Sequence, residues 1–131
     1  MNQKKILIVE DDQDMRQGLQ IRLRSLGYSI AIAADAIAAV AAAQRERPDL
    51  VLLDLGLPGG DGFLVMERLR ALLLLATPVI VLTGRSPDGN LERARQLGAT
   101  VFLQKPVDND VLANAVRLSL KGWSGLNPKA A

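Results

Sequence analysis

The chain has 131 residues, 49% of them hydrophobic, which is enough for one ordinary domain with a core and too few for two. Lys and Arg number 16 against 14 Asp and Glu, and a net charge of +2 is too small and too scattered to mark a nucleic-acid or membrane surface. With no cysteine and no histidine, disulfides, zinc sites, thiol nucleophiles and imidazole chemistry are excluded, so any chemistry must run on carboxylates, hydroxyls and lysine.

In chain order, the apolar run Ile6–Val9 predicts a first strand. It is too short for a signal-peptide core and ends directly in Glu10, Asp11 and Asp12, so a cytoplasmic location is expected. Asp14 with Gln17 resembles a capping box, Met15, Leu19, Leu23 and Leu26 mark the apolar face of a first helix, and Gly27 closes it. An Ala-rich second strand is predicted at Tyr28–Ala33, then a helix from Asp35 to Glu46 that stops before Pro48. Leu50–Leu53 forms a third strand, and a third helix runs from Gly62 into Leu72–Leu75. The Ala-rich unit and the Leu72–Leu75 run are more hydrophobic than a lone surface helix needs, which predicts a partner surface there. The stretch Ala71–Leu82 is interrupted by Thr77 and Pro78 and falls short of a membrane span.

Val79–Leu82 predicts the fourth strand, Asn90–Leu97 a helix ending at Gly98, and Val101–Leu103 the fifth strand. The last helix follows Pro106, with Asp108 as cap and Val111, Leu112, Ala115, Val116 and Leu120 as its buried stripe. Residues 1–121 then form the domain, and 122–131 read as a flexible tail or the start of a linker, with Trp123 as a tail residue or packing anchor.

Near-continuously apolar strands alternating with helices suit a parallel sheet covered on both faces, an α/β doubly wound fold. With five strands in the order 2-1-3-4-5 and five helices, the polar residues at the carboxyl ends of the strands converge. These are Glu10–Asp12, Asp54, Thr83 and Lys105–Pro106. Acids brought together raise one another's pKa unless a cation intervenes, and Mg2+ suits carboxylates, water and a phosphate oxygen. In that arrangement Asp54 is the nucleophile, Asp11 and Asp12 hold the metal, and Lys105 and Thr83 receive phosphoryl oxygens.

From Lys5 to Lys121 the pattern resembles the receiver domain of bacterial two-component response regulators, a flavodoxin-like fold. The resemblance rests on Asp11–Asp12 after "ILIVE", Asp54 in "DLGLPGGDG", Thr83 in "VIVLTGR" and Lys105–Pro106 in "VFLQKP". It implies a signalling domain, not an enzyme on external substrates, that takes a phosphoryl group onto Asp54 from a sensor histidine kinase or phosphotransfer protein. It also implies Mg2+ with the Gly56 backbone carbonyl as a further ligand, a cis Lys105–Pro106 bond, and switching through Thr83 and Phe102. A downstream protein or separate output domain is the expected partner, with no direct nucleic-acid or membrane binding. A homodimer through the face of the fourth helix, fifth strand and fifth helix is one expected assembly.

Three other functions use similar parts. A haloacid-dehalogenase-type Mg2+-dependent phosphatase also has an aspartyl nucleophile, but its second Asp would fall at Gly56. A flavodoxin-like cofactor binder would have its phosphate repelled by Glu10–Asp12. A non-phosphorylated interaction module would have no use for the intact acid, Thr and Lys set.

Overall fold

The computed structural model describes residues 3–57, 62–72 and 77–126. Strands β1 (Lys5–Val9), β2 (Ser29–Ala33), β3 (Leu50–Leu53), β4 (Val79–Thr83) and β5 (Val101–Gln104) form one sheet in the order β2-β1-β3-β4-β5. All the pairings are parallel. Helices α1 (Gln13–Ser25), α2 (Ala36–Glu46), α3 (Gly62–Leu72), α4 (Asn90–Gln96) and α5 (Asn109–Leu120) connect or follow them. The expected doubly wound architecture is therefore present, with each predicted strand shifted by at most one residue at either end.

Strand side chains alternate between two cores, as the twofold repeat of a β-strand requires. Leu7, Val9, Val51, Leu53, Val79 and Val81 face α2, α3 and α4, where Ala39, Met66, Leu69 and Ala94 pack. Ile6, Ile8, Leu50, Leu52, Ile80 and Leu82 face α1 and α5, where Leu19, Leu23, Leu112 and Val116 pack. Small alanines on α2 let that helix lie close on the sheet.

Two helix readings need correction. The cap of α1 is Asp12, whose Oδ1 accepts from the Met15 N–H at 2.9 Å, and Asp14 lies in the first turn. The apolar stripes are narrower than expected, since Leu26 is 50% and Val111 48% exposed. The predicted cap Asp108 does accept from the Asp110 N–H, and Asp35, expected near the start of the second helix, caps it by accepting from the Ala38 N–H. Of the Leu72–Leu75 run, residues 73–75 lie outside the described residues, as does Asp61.

Residues 122–126, expected to belong to a tail, fold back on the body. Leu126 N–H donates to Thr100 O at 3.1 Å, the Ser124 hydroxyl donates to the same carbonyl at 3.2 Å, and Leu126 packs on the core beneath α4. Trp123 covers Gly125 so closely that a Cβ there would sit 2.7 Å from the indole. The residue thus acts as a packing anchor for the turn.

Candidate functional site

The strand order reverses between β1 and β3, and at such a switch point the carboxyl ends of neighbouring strands leave an open crevice. Asp54 follows β3 directly and is largely buried, at 9% exposure. Its Oδ1 accepts from the Gly56 N–H at 3.1 Å and its Oδ2 from Lys105 Nζ at 3.1 Å. Lys105 follows β5 and also donates to Glu10 Oε1, so one ammonium bridges two carboxylates. The Lys105–Pro106 peptide bond is cis, as the resemblance implied.

The acids that converge are Glu10, Asp11 and Asp54, each offering an oxygen within 4.8 Å of the others. Asp12, expected beside Asp11 as a metal ligand, instead has its carboxylate engaged at the helix N-terminus. Glu10, which the sequence places among the converging acids without a role of its own, is only 2% exposed, and its Oε2 also accepts from the Asp12 N–H. Its burial next to Lys105 could be read only once β1 and β5 were placed on either side of β3 and β4.

Competing effects set the charges. Burial pushes Asp54 up, but hydrogen bonds from the Gly56 N–H and the Thr83 hydroxyl, together with the charge of Lys105, outweigh it and leave the carboxyl below its ordinary value. Burial also pushes Glu10 up, and here Lys105 and the Asp12 N–H offset it only in part, so Glu10 stays above its ordinary value. Burial pulls Lys105 down, but its bond to Glu10 and the charges of both acids raise it overall. Asp54 is therefore an ionised carboxylate and Lys105 a charged ammonium at neutral pH.

Thr83 ends β4 and is 1% exposed. Its Oγ1 accepts from the Arg85 N–H at 3.2 Å, and its hydroxyl is among the groups that hold the Asp54 carboxyl below its ordinary value. Phe102 lies on the same sheet face one strand over. The register pairs Thr83 with Gln104, two residues after Phe102, and the ring packs partly buried on the core beneath α4. The structure thus brings Asp54, Lys105, Thr83, Asp11 and Glu10 to one crevice, with Phe102 behind it.

Gly62 lets the start of α3 approach the backbone of Asp54 and Leu55 closely. Its N–H donates to Leu55 O at 3.0 Å, and a Cβ at this position would lie 2.8 Å from that oxygen and 2.9 Å from Asp54 O. The sequence shows a glycine at a helix start, and only the close approach shows why no side chain fits.

The donor set fits a hard cation. It is all oxygen, one member (Asp11) is exposed to solvent, and the excess negative charge of the acids over Lys105 leaves room for a divalent ion with water on its open side.

The model of the response regulator receiver domain family matches residues 6–117. The chain is 36% identical to the transcriptional regulatory protein AfsQ1 of Streptomyces coelicolor over 116 residues, covering 88% of this chain and 51% of that protein. It is also 36% identical to the DNA-binding response regulator MtrA of Mycolicibacterium paratuberculosis, covering 90% of this chain and 52% of that one. The chain therefore spans about half the length of these curated relatives. Among solved structures, the CheY-like receiver domain protein of Methanospirillum hungatei superposes with a TM-score of 0.88 at 29% identity, covering 92% of this chain and 96% of that one. The BeF3-activated receiver domain of Klebsiella pneumoniae RstA superposes with a TM-score of 0.84 at 31% identity, covering 90% and 99%. With the family model spanning most of the chain and the fold and acidic crevice agreeing with it, this chain belongs to the response regulator receiver domains of two-component signalling.

Proposed function

We propose that Asp54 is the phosphoacceptor of this receiver. The observation that carries the reading is the crevice itself, where a buried, ionised carboxylate is bonded to a lysine and a backbone N–H beside further acids, with a threonine hydroxyl helping to hold it low. A carboxylate oxygen of Asp54 attacks the phosphorus of a phosphohistidine on a partner kinase or phosphotransfer protein. The P–N bond breaks, its electron pair returns to the imidazole, and an acyl phosphate forms. Lys105 neutralises the charge gathered on the phosphoryl oxygens, and Thr83 is placed to donate to one of them.

Glu10, Asp11, Asp54 and the Gly56 carbonyl are the groups we assign to Mg2+, with Asp12 left as helix cap. When bound, the ion would neutralise the acids and share a phosphoryl oxygen. Position 56 carries no acid to protonate a leaving group, which favours self-phosphorylation over turnover of outside phosphate esters. A groove of about 780 Å³ between α1 and the β5–α5 connection, lined by Met15, Ile21, Lys105, Pro106 and Leu112, opens beside Lys105 and offers a donor helix a path to the crevice.

The output lies on the α4–β5–α5 face, reached through Thr83 and Phe102. DNA contact, named for a relative twice as long, is assigned to sequence outside the receiver. No helix among the described residues is long and apolar enough to cross a membrane, and a cytoplasmic site of action is part of this reading. The test is labelling by acetyl phosphate. The parent should become phosphorylated only with Mg2+, and Asp54→Ala should not. Equal labelling of Asp54→Ala would remove Asp54 from the role.

A further inference from the structure

Strand β1 ends at Val9, so the carbonyls of Glu10 and Asp11 lie past the last rung of the sheet, although their side chains supply two of the three converging carboxylates. An acid on an unsupported loop would sample many directions. A carboxylate pair holds a cation well only when its orientation is fixed beforehand.

The Glu10 N–H and carboxylate are held by Ala33 O, the Asp12 N–H and Lys105, and Arg16, one turn into α1, supplies the support for the carbonyls. Its guanidinium Nη1 reaches back along the helix to donate to Glu10 O at 2.9 Å and, more weakly, to Asp11 O at 3.4 Å. Its own N–H donates to Asp12 O at 2.9 Å. One residue thus binds three consecutive carbonyls of the β1–α1 connection, and two of these bonds come from a charged planar group whose donors are fixed in space.

We infer that Arg16 is a positioning residue for the cation site, fixing the peptide planes of Glu10 and Asp11 so that their carboxylates converge with Asp54. The inference rests on the assignment of Mg2+ to those acids. What makes it testable is a sign. Arg16 is a positive charge next to a cation site, so by Coulomb's law alone its removal would tighten Mg2+ binding. If its role is to position, removal must weaken binding against that electrostatic gain.

The experiment is a titration of the unphosphorylated protein with Mg2+, followed by amide NMR, for the parent, Arg16→Gln, Arg16→Lys, Arg22→Gln and Asp11→Asn. Arg22 is on the same helix, and its replacement removes an equal charge without touching the connection. Arg16→Gln should raise the dissociation constant about tenfold, the lower end of what loss of a supporting group costs a metal site. Arg16→Lys, which keeps the charge but not the fork, should fall between Gln and the parent, and Arg22→Gln should leave affinity unchanged or slightly tighter. In the metal-free protein the amides of Asp11 and Asp12 should exchange faster in Arg16→Gln than in the parent.

Unchanged or tighter binding in Arg16→Gln, with Asp11→Asn weakened, would overturn the role of Arg16 alone. Unchanged affinity in Asp11→Asn would overturn the cation assignment and this inference with it. Should Arg16→Gln not fold, Arg16→Lys decides, since weaker binding than the parent supports positioning and equal or tighter binding contradicts it.

Discussion

Lys105 holds two carboxylates that would otherwise repel each other, and this gives its replacement a pH signature. The sign follows from where each group titrates in the folded chain. Asp54, held below its ordinary value, contributes stability that is present above the unfolded value and lost as pH falls through the depressed one. Glu10, held above its ordinary value, does the reverse, and stability falls as pH rises through the interval between its unfolded and folded values. In Lys105→Met the counter-charge is gone while burial and mutual repulsion remain, so Glu10 is pushed further up and Asp54, still held by the Gly56 N–H, loses part of its depression. The variant should therefore be close to the parent in urea midpoint near pH 4, fall progressively behind as pH approaches 7, and recover part of the loss when Mg2+ is added. A deficit that does not change with pH would mean that the lysine acts by packing alone. At this scale the sequence discloses Asp54, Thr83 and Lys105 by their places at strand ends. It pairs Asp11 with Asp12 where the geometry brings Asp11 together with Glu10, because the three acids are consecutive and only the true start of α1 shows which of them caps the helix and which face the crevice.

Among the elements, α4 is short and is tied to α3 from two sides. The Arg93 guanidinium lies 4.2 Å from the centre of the Phe63 ring. Arg70, at the end of α3, donates to Leu97 O at 3.3 Å, to Gly98 O at 2.7 Å and to Thr77 O at 2.7 Å. It thereby satisfies the open carbonyls at the C-terminus of α4 and links them to the entry of β4. Replacing Arg70 by Met keeps most of the apolar stem and removes these charged bonds, so we predict a loss of about 2–3 kcal/mol in unfolding free energy. Amide exchange should rise most in α4. A loss under about 0.5 kcal/mol would show that water replaces the guanidinium without cost. Sequence periodicity located both helices, but it was blind to this brace, whose acceptors are backbone atoms up to 28 residues away. Periodicity also overstated the buried stripe of α5, since a 48% exposed Val111 fits the apolar pattern without touching the core.

Across the whole molecule, the order β2-β1-β3-β4-β5 gathers residues from 10 to 105 into one crevice and leaves Phe102 and α4 on one face of the sheet behind it. This topology was readable because alternating apolar strands and capped helices admit few arrangements. The return of residues 122–126 to Thr100 was not, since that segment has no periodicity and is held by backbone bonds, the Ser124 hydroxyl and the packing of Trp123 and Leu126. The Thr83 hydroxyl already helps to hold the Asp54 carboxyl low, so phosphorylation would give it phosphoryl oxygens bearing close to two negative charges in place of a carboxylate. A stronger charge-assisted hydrogen bond of about 1.5–3 kcal/mol can shift a two-state balance by about one to two orders of magnitude. Beryllofluoride should therefore move amide resonances across Leu91–Leu97 and Val111–Arg117 in the parent, and Thr83→Ala should blunt that response. A full response in Thr83→Ala would route the signal elsewhere.

The central claim is that the acyl phosphate forms on Asp54, and chemical trapping tests it most directly. Borohydride reduces an aspartyl phosphate to homoserine, so the protein treated with acetyl phosphate and Mg2+, reduced and digested, reports the acceptor by peptide mass spectrometry. The account predicts homoserine at position 54, dependent on Mg2+ and absent from every other aspartate. Homoserine at Asp11, Asp12 or Asp61 in place of Asp54, or at no position in a protein that carries label, would contradict it.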